Sequence, residues 1–127
     1  MGSEGLHEAP EALQPSTVDR HRAVRSIMEE LDAIDWYDQR VDATGDASLA
    51  EVLAHNRDEE KEHASMAIEW LRRHDAVFDR HLRTYLFSEG SIVGEEQEAE
   101  HGDDASDAPG ALGDGSLGIG SLREARP

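Results

Sequence analysis

Glu60 and His63 form a Glu-x-x-His motif within the segment HNRDEEKEHA, which spans residues 55–64. A spacing of three residues places both side chains on one face of an α-helix. A carboxylate and an imidazole on one helical face are the ligand pair that helix bundles use in carboxylate-bridged di-iron sites. The motif therefore predicts metal binding, and the alternative is that residues 59–62 form a solvated acidic face.

The motif lies on the apolar seam of its predicted helix. Alternating steps of four and three residues from Leu49 reach Leu53, Asn56, Glu60, His63, Ala67 and Trp70. On the preceding predicted helix, Glu30 lies between Ile27 and Ile34 with the same spacing. A buried unpaired carboxylate is destabilising unless it is paired or bound to a cation. The pattern therefore predicts Glu30, Glu60 and His63 as metal ligands.

Apolar periodicity predicts that these ligands are carried by an antiparallel two-helix hairpin. The first helix is expected over residues 17–43, and the second from the break at Gly45 to about residue 74. The expected N-caps are Ser16 or Thr17 for the first helix and Asp46 or Ser48 for the second. The segment AVFDRHLRTYLF predicts a third, shorter helix that ends before Gly90. The fold class is therefore all-α.

Composition restricts the possible partners. The 127 residues include no cysteine, so neither disulfides nor thiolate metal sites are available. The formal net charge of -17 opposes binding to nucleic acid phosphates. No apolar stretch approaches the roughly 20 residues of a membrane span, and no secretory signal opens the chain. We expect a cytoplasmic protein with neither nucleic acid nor membrane as a partner.

The two ends of the chain differ from the helical part. Residues 1–15 predict a flexible N-terminal segment, and residues 16–90 the helical domain. Residues 91–113 are acidic and glycine-rich, as in a solvated linker. Residues 114–127 differ again, because GSLGIGSLR brings back large aliphatic side chains among glycines. A tail that only had to stay dissolved would gain nothing from these aliphatic side chains.

One hairpin supplies only half of a di-iron site, because it carries one Glu-x-x-His motif and one further glutamate. Two helices also cannot cover both of their own apolar faces. Both considerations predict that a second chain completes the bundle. We interpret Trp36, Tyr37 and Trp70 as packing residues, with Tyr37 as an alternative hydrogen-bond donor to a ligand carboxylate.

Three segments, RHRAVRSIMEELDAIDWYDQRVDA, LAHNRDEEKEHASMAIEWLRR and HLRTYLFSEG, resemble the encapsulated ferritin family over roughly residues 17–90. GSLGIGSLR resembles the C-terminal peptide that loads such proteins into encapsulin nanocompartments. The resemblance implies a ferritin half-bundle that dimerises and then forms an annular homodecamer. It also implies a ferroxidase for iron storage and detoxification inside the encapsulin shell, which residues 114–127 would engage.

The resemblance assigns roles to particular residues. Glu30, Glu60 and His63 from each of two chains would hold two irons, Fe²⁺ or Fe³⁺, with Glu60 bridging and Tyr37 close by. A metal-uptake site on the outer surface corresponds to Glu29 and Asp32, with Trp36 beside it. The family has glutamate where this chain has Asp32, so the side chain there is shorter.

Two other functions are compatible with a helical hairpin. A haemerythrin-like or rubrerythrin-like di-iron protein would need more histidines, or a second complete Glu-x-x-His motif, within the chain. A non-catalytic helical oligomerisation module carried as encapsulin cargo would show no dependence on iron. Iron-dependent absorbance of the purified protein separates the enzyme from the module.

Overall fold

The computed structural model describes residues 5–105, and all regular elements in this range are helical. A 3-10 turn over Pro10–Ala12 precedes four α-helices: α1 Pro15–Ala43, α2 Ala47–Arg73, α3 Ala76–Tyr85 and α4 Ile92–Ala105. The predicted all-α class is therefore confirmed. The described residues divide into two compact units between Asp79 and Arg80. No helix in this part of the chain is both long and apolar enough to cross a membrane.

The helices α1 and α2 form the predicted antiparallel hairpin, joined by Thr44, Gly45 and Asp46. The Asp46 carboxylate accepts a hydrogen bond from the Leu49 backbone N–H at 3.0 Å, which satisfies one free donor of the first turn of α2. This cap is one of the two residues that the sequence suggested. A short, capped connection keeps the two helices adjacent along their length.

The start of α1 differs from the prediction. The N-cap is Gln14, which makes no side-chain hydrogen bond, so neither Ser16 nor Thr17 caps this helix. Pro15 occupies the first helical turn instead. Proline has a fixed φ suited to a helix and no N–H that needs an acceptor, so it can begin a helix without a side-chain cap.

The hairpin buries little apolar surface on its own. Among the described residues only Ala64 and Leu71 are buried apolar residues. Large apolar side chains stay exposed on both helices: Val24, Met28, Leu31 and Trp36 on α1, and Leu49, Val52, Met66 and Trp70 on α2. Most of these recur at helical spacing and so form stripes along the helices. A single hairpin therefore leaves the apolar faces that a second chain is predicted to cover.

Ion pairs organise the turn from α2 to α3. Arg72 donates hydrogen bonds to Glu69 and to Asp79. The hydrogen bonds from Arg72 and Arg73 lower the pKa of Glu69 to about 2. Asp75 accepts a hydrogen bond from the Phe78 backbone N–H at 2.9 Å at the start of α3. These contacts fix where α2 ends and α3 begins.

Part of the N-terminal segment that was predicted to be flexible packs on α1. Gly5 adopts a φ of 93°, and a Cβ atom at this position would lie 3.3 Å from His21 Cε1. Glycine thus permits both the left-handed backbone and the close approach. Within the described range, Gly5 therefore lies against α1, and the flexibility of residues 1–15 stays a prediction.

The segment predicted as a linker contains a helix, α4, that the sequence interpretation did not include. The Ser91 hydroxyl accepts a hydrogen bond from the Gly94 backbone N–H at 3.1 Å near the start of α4. The residues 95–100, EEQEAE, are mostly strong helix formers, and the charge-based interpretation overlooked that preference. The remaining linker and the peptide at 114–127 lie outside the described residues, and their roles stay predictions.

Candidate metal centre

Glu30, Glu60 and His63 come together in the fold as the sequence predicted. One ligand atom from each residue lies within 4.8 Å of the others. His63 Nδ1 is 3.6 Å from Glu60 Oε2 and 3.9 Å from Glu30 Oε2. In the described range, no other set of three histidine, aspartate or glutamate residues has this arrangement.

The hairpin explains how the three side chains meet. Glu60 and His63 are one turn apart on α2, and the antiparallel pairing brings Glu30 of α1 opposite them. Their side chains are half-buried, with exposed fractions of 24% for Glu60, 26% for Glu30 and 42% for His63. The three candidate ligands are thus held by two helices, and solvent can still reach them.

The spacing of the ligand atoms suits a cation better than mutual hydrogen bonding. Distances of 3.6 and 3.9 Å exceed those of protein hydrogen bonds. Ligand atoms bound to one metal at about 2.0–2.2 Å lie roughly 3–4 Å apart. In the described part of the chain, the two carboxylates make no polar side-chain contact except with His63. The three groups are therefore spaced as the ligands of one cation would be.

The donor set fits a divalent first-row transition metal such as Fe²⁺. Carboxylate oxygens and an imidazole nitrogen are ligands that bind such ions in helix bundles. The two carboxylates balance the charge of one divalent cation. A complete di-iron site needs twice this set, and one chain supplies the set once.

The structure does not bring the other predicted site residues into this cluster. Tyr37 is half-buried on α1, about 10 Å further along the helix axis than Glu30, and the Arg40 guanidinium lies 5.5 Å from the centre of its ring. Glu29 and Asp32 are exposed and join no cluster of three ligands among the described residues. The role of Tyr37 as a hydrogen-bond donor to a ligand carboxylate stays a prediction. The role of Glu29 and Asp32 as a metal-uptake site also stays a prediction.

Sequence reasoning missed an ion pair between the two helices. Arg57 Nη1 of α2 lies 3.0 Å from Asp38 Oδ1 of α1, and Arg57 Nε lies 3.1 Å from Asp58 Oδ1. The hydrogen bonds to Asp58 and Asp38 raise the pKa of Arg57, and the hydrogen bond from Arg57 lowers the pKa of Asp58. One sequence feature could have indicated this ion pair. Arg57 lies three residues before Glu60 and therefore on the helix face that carries the candidate ligands.

An antiparallel hairpin with a glutamate on one helix and Glu-x-x-His on the other is the half-bundle of a ferritin-like protein. The chain belongs to the EncFtn-like family, whose family model matches residues 5–89. The resemblance predicted from the sequence is therefore confirmed. The match includes α1, α2 and α3 and ends before α4.

Individual relatives extend the similarity over most of the chain. An encapsulated ferritin-like protein from Rhodospirillum rubrum is 58% identical over 127 residues, which is 97% of this chain and 91% of the relative. A ferritin-like protein from Thermotoga maritima is 42% identical over 120 residues, covering 94% of this chain and 99% of the relative. A crystal structure of a Nitrosomonas europaea protein has a TM-score of 0.67 and 52% identity, covering 69% of this chain and 97% of that one.

Proposed function

We propose that this protein is a ferroxidase that oxidises Fe²⁺ to Fe³⁺ at a di-iron centre completed between two subunits. The observation that carries the proposal is the convergence of Glu30, Glu60 and His63, whose ligand atoms lie within 4.8 Å of one another. Membership of the EncFtn-like family and the ferritin-like name of two relatives support iron as the metal.

The exposed apolar stripes support completion of the site by a second copy of the chain. Met66 lies one turn beyond His63 on α2, Leu31 follows Glu30 on α1, and both are exposed. In a two-fold symmetric dimer the same surface contacts itself, so covering these stripes would bring two ligand sets face to face. The resulting centre would contain two copies of Glu30, Glu60 and His63, with Glu60 bridging. The annular decamer implied by the resemblance belongs to the same proposal.

The charges of such a centre balance those of two ferrous ions. Two copies each of Glu30 and Glu60 contribute four negative charges, and two Fe²⁺ ions contribute four positive charges. Each iron gives up one electron, and dioxygen accepts two electrons and two protons to form hydrogen peroxide. Glu29 and Asp32 would bind incoming Fe²⁺ on the outer surface, and Tyr37 would donate a hydrogen bond to a ligand carboxylate.

The site of action in this proposal is the lumen of an encapsulin nanocompartment in the cytoplasm. The name of the Rhodospirillum rubrum relative, an encapsulated protein, supports this location. The motif GSLGIGSLR within residues 114–127 supports docking to the shell protein. A hairpin that forms no closed container needs such a shell to retain ferric product.

Divalent metal is expected to drive assembly. In a metal-free dimer at least four carboxylates would face one another, and their repulsion opposes association until cations bind. Native mass spectrometry or light scattering before and after anaerobic addition of Fe²⁺ should show smaller species, monomer or dimer, becoming larger ones. Oxidation of the added iron is then followed by the absorbance of Fe³⁺ on exposure to air.

Two outcomes would contradict the proposal. An unchanged size distribution after metal addition would exclude a metal-completed interface. Assembly without any iron oxidation above that of a protein-free solution would favour the non-catalytic oligomerisation module instead.

A further inference from the structure

We infer that Asp38 and Arg57 form a positioning ion pair that keeps the metal ligand of α1 in register with the two metal ligands of α2. The inference deepens the proposed function and rests on it for the identity of the metal. Neither residue is placed at the metal itself. Their role would be to hold Glu30 at the correct height opposite Glu60 and His63.

The contact between the two helices is direct. The Arg57 guanidinium donates a hydrogen bond to Asp38 at 3.0 Å across the hairpin. Within the described part of the chain, it is the only side-chain hydrogen bond that joins α1 to α2. Over its described length, the hairpin buries only two apolar side chains, Ala64 and Leu71, both on α2, so few buried apolar contacts fix the position of one helix along the other. A directional hydrogen bond restricts such a slide.

The pair lies where it can control the ligand register. Arg57 precedes Glu60 by three residues, about 4.5 Å along the axis of α2. Asp38 follows Glu30 by eight residues along α1, which runs in the opposite direction. A slide of one residue shifts the helices by about 1.5 Å, which is large compared with metal–ligand bonds of about 2 Å. An ion pair that fixes Asp38 next to Arg57 therefore also fixes Glu30 opposite its proposed co-ligands, Glu60 and His63.

Burial distinguishes Arg57 from an ordinary surface arginine. Its side chain is only 23% exposed, whereas Asp38 is 54% exposed and Asp58 is 61% exposed. Arginine side chains that are shielded from solvent usually have their N–H donors paired with acceptors. The Arg57 guanidinium is paired in this way with two carboxylates. A positive charge one turn from Glu60 opposes binding of a cation, so its presence there favours a geometric role over an electrostatic one.

Asp58 provides a matched control for Asp38. Both carboxylates bond the same guanidinium at nearly equal distances, 3.1 Å and 3.0 Å. Replacing either aspartate with asparagine removes one negative charge and weakens one hydrogen bond from Arg57, and Asp58→Asn also loses the ion pair with Lys61 at 3.6 Å within α2. Only Asp38 lies on the opposite helix, because Asp58 is next to Arg57 in α2. A difference between the two variants therefore measures the link between the helices.

The experiment compares Asp38→Asn and Asp58→Asn with the parent protein by anaerobic calorimetric titration with Fe²⁺. Asp38→Asn should weaken iron binding by about tenfold or more, as expected for loss of a residue that orients metal ligands. Asp58→Asn should stay within about twofold of the parent. The charge-swapped double variant, Asp38→Arg with Arg57→Asp, should recover most of the lost affinity, since it restores the link between the helices.

Metal-free crystal structures of the two variants give a readout that does not depend on iron. The separation of Glu30 Oε2 and His63 Nδ1, 3.9 Å in the parent chain, should increase in Asp38→Asn and not in Asp58→Asn. Equal affinities for the two variants, or an unchanged separation in Asp38→Asn, would overturn the inference. If Asp38→Asn does not fold, a charge-swapped variant that folds without recovering affinity would also overturn it. A parent protein that binds no iron would overturn the proposed function. The distance between Glu30 Oε2 and His63 Nδ1 in the two variants would still decide whether Asp38 and Arg57 position Glu30.

Discussion

Replacing Glu60 with alanine is expected to lower the initial rate of ferrous iron oxidation by about 100-fold or more. Loss of residues that only orient metal ligands already costs roughly 10- to 100-fold, and Glu60 is itself a proposed ligand. In a symmetric centre the substitution removes one ligand from each half at once. His63→Ala should have an effect of the same order. Both rates are measured by the absorbance of Fe³⁺ after addition of Fe²⁺ in air.

Glu59 offers a control that differs from Glu60 by one position on the same helix. Its carboxylate is exposed and lies 2.7 Å from His55 Nε2, an i, i+4 surface pair with little effect on stability. Glu59→Ala removes the same charge and should oxidise iron at about the parent rate. Far-UV circular dichroism of all three variants checks that the helices are retained. Oxidation by Glu60→Ala at the parent rate would show that the site assignment is wrong.

Deletion of residues 114–127 is expected to abolish loading into an encapsulin shell and to leave iron oxidation by the free protein intact. The deletion starts after α4, which ends at Ala105, and the proposed ligands lie between residues 30 and 63. It therefore removes no residue of the hairpin. The measurement is co-expression with an encapsulin shell protein, followed by purification of the shells and quantification of the cargo.

A full-length variant distinguishes the effect of the peptide's side chains on loading from the effect of shortening the tail. Replacing Leu117, Ile119 and Leu122 with serine keeps the tail length and removes the aliphatic side chains that would fill apolar pockets in the shell. It should load as poorly as the deletion. Fusion of residues 114–127 to an unrelated protein should carry that protein into the shells. Truncated protein recovered inside shells at the parent yield would contradict the targeting role.

The hairpin and the cluster of Glu30, Glu60 and His63 could be predicted from the sequence because both follow from helical periodicity. Apolar spacing defined the two long helices, and the polar side chains on the apolar seam departed clearly from that pattern. Asp46 was one of two predicted caps, with Ser48, because aspartate at the end of a glycine-containing break has a direct local interaction with the next turn. Each of these features depends on residues that are close in sequence or on one helical face.

Other features required the three-dimensional structure. The beginning of α1 was misplaced because Pro15 can begin a helix without a side-chain cap, so no capping signal marks Gln14. The helix α4 was missed because its acidic composition resembles a solvated linker. The contact between Asp38 and Arg57 joins residues 19 positions apart, and charge pattern alone does not specify which carboxylate an arginine reaches.

The central claim is that two copies of the chain share one di-iron centre. Crystals soaked anaerobically with Fe²⁺, with anomalous scattering recorded at the iron absorption edge, test it most directly. The proposal predicts two neighbouring iron peaks on a two-fold axis between subunits, with Glu30, Glu60 and His63 of both chains as ligands. Iron bound by these residues from one chain only, or bound only around Glu29 and Asp32, would contradict the shared centre.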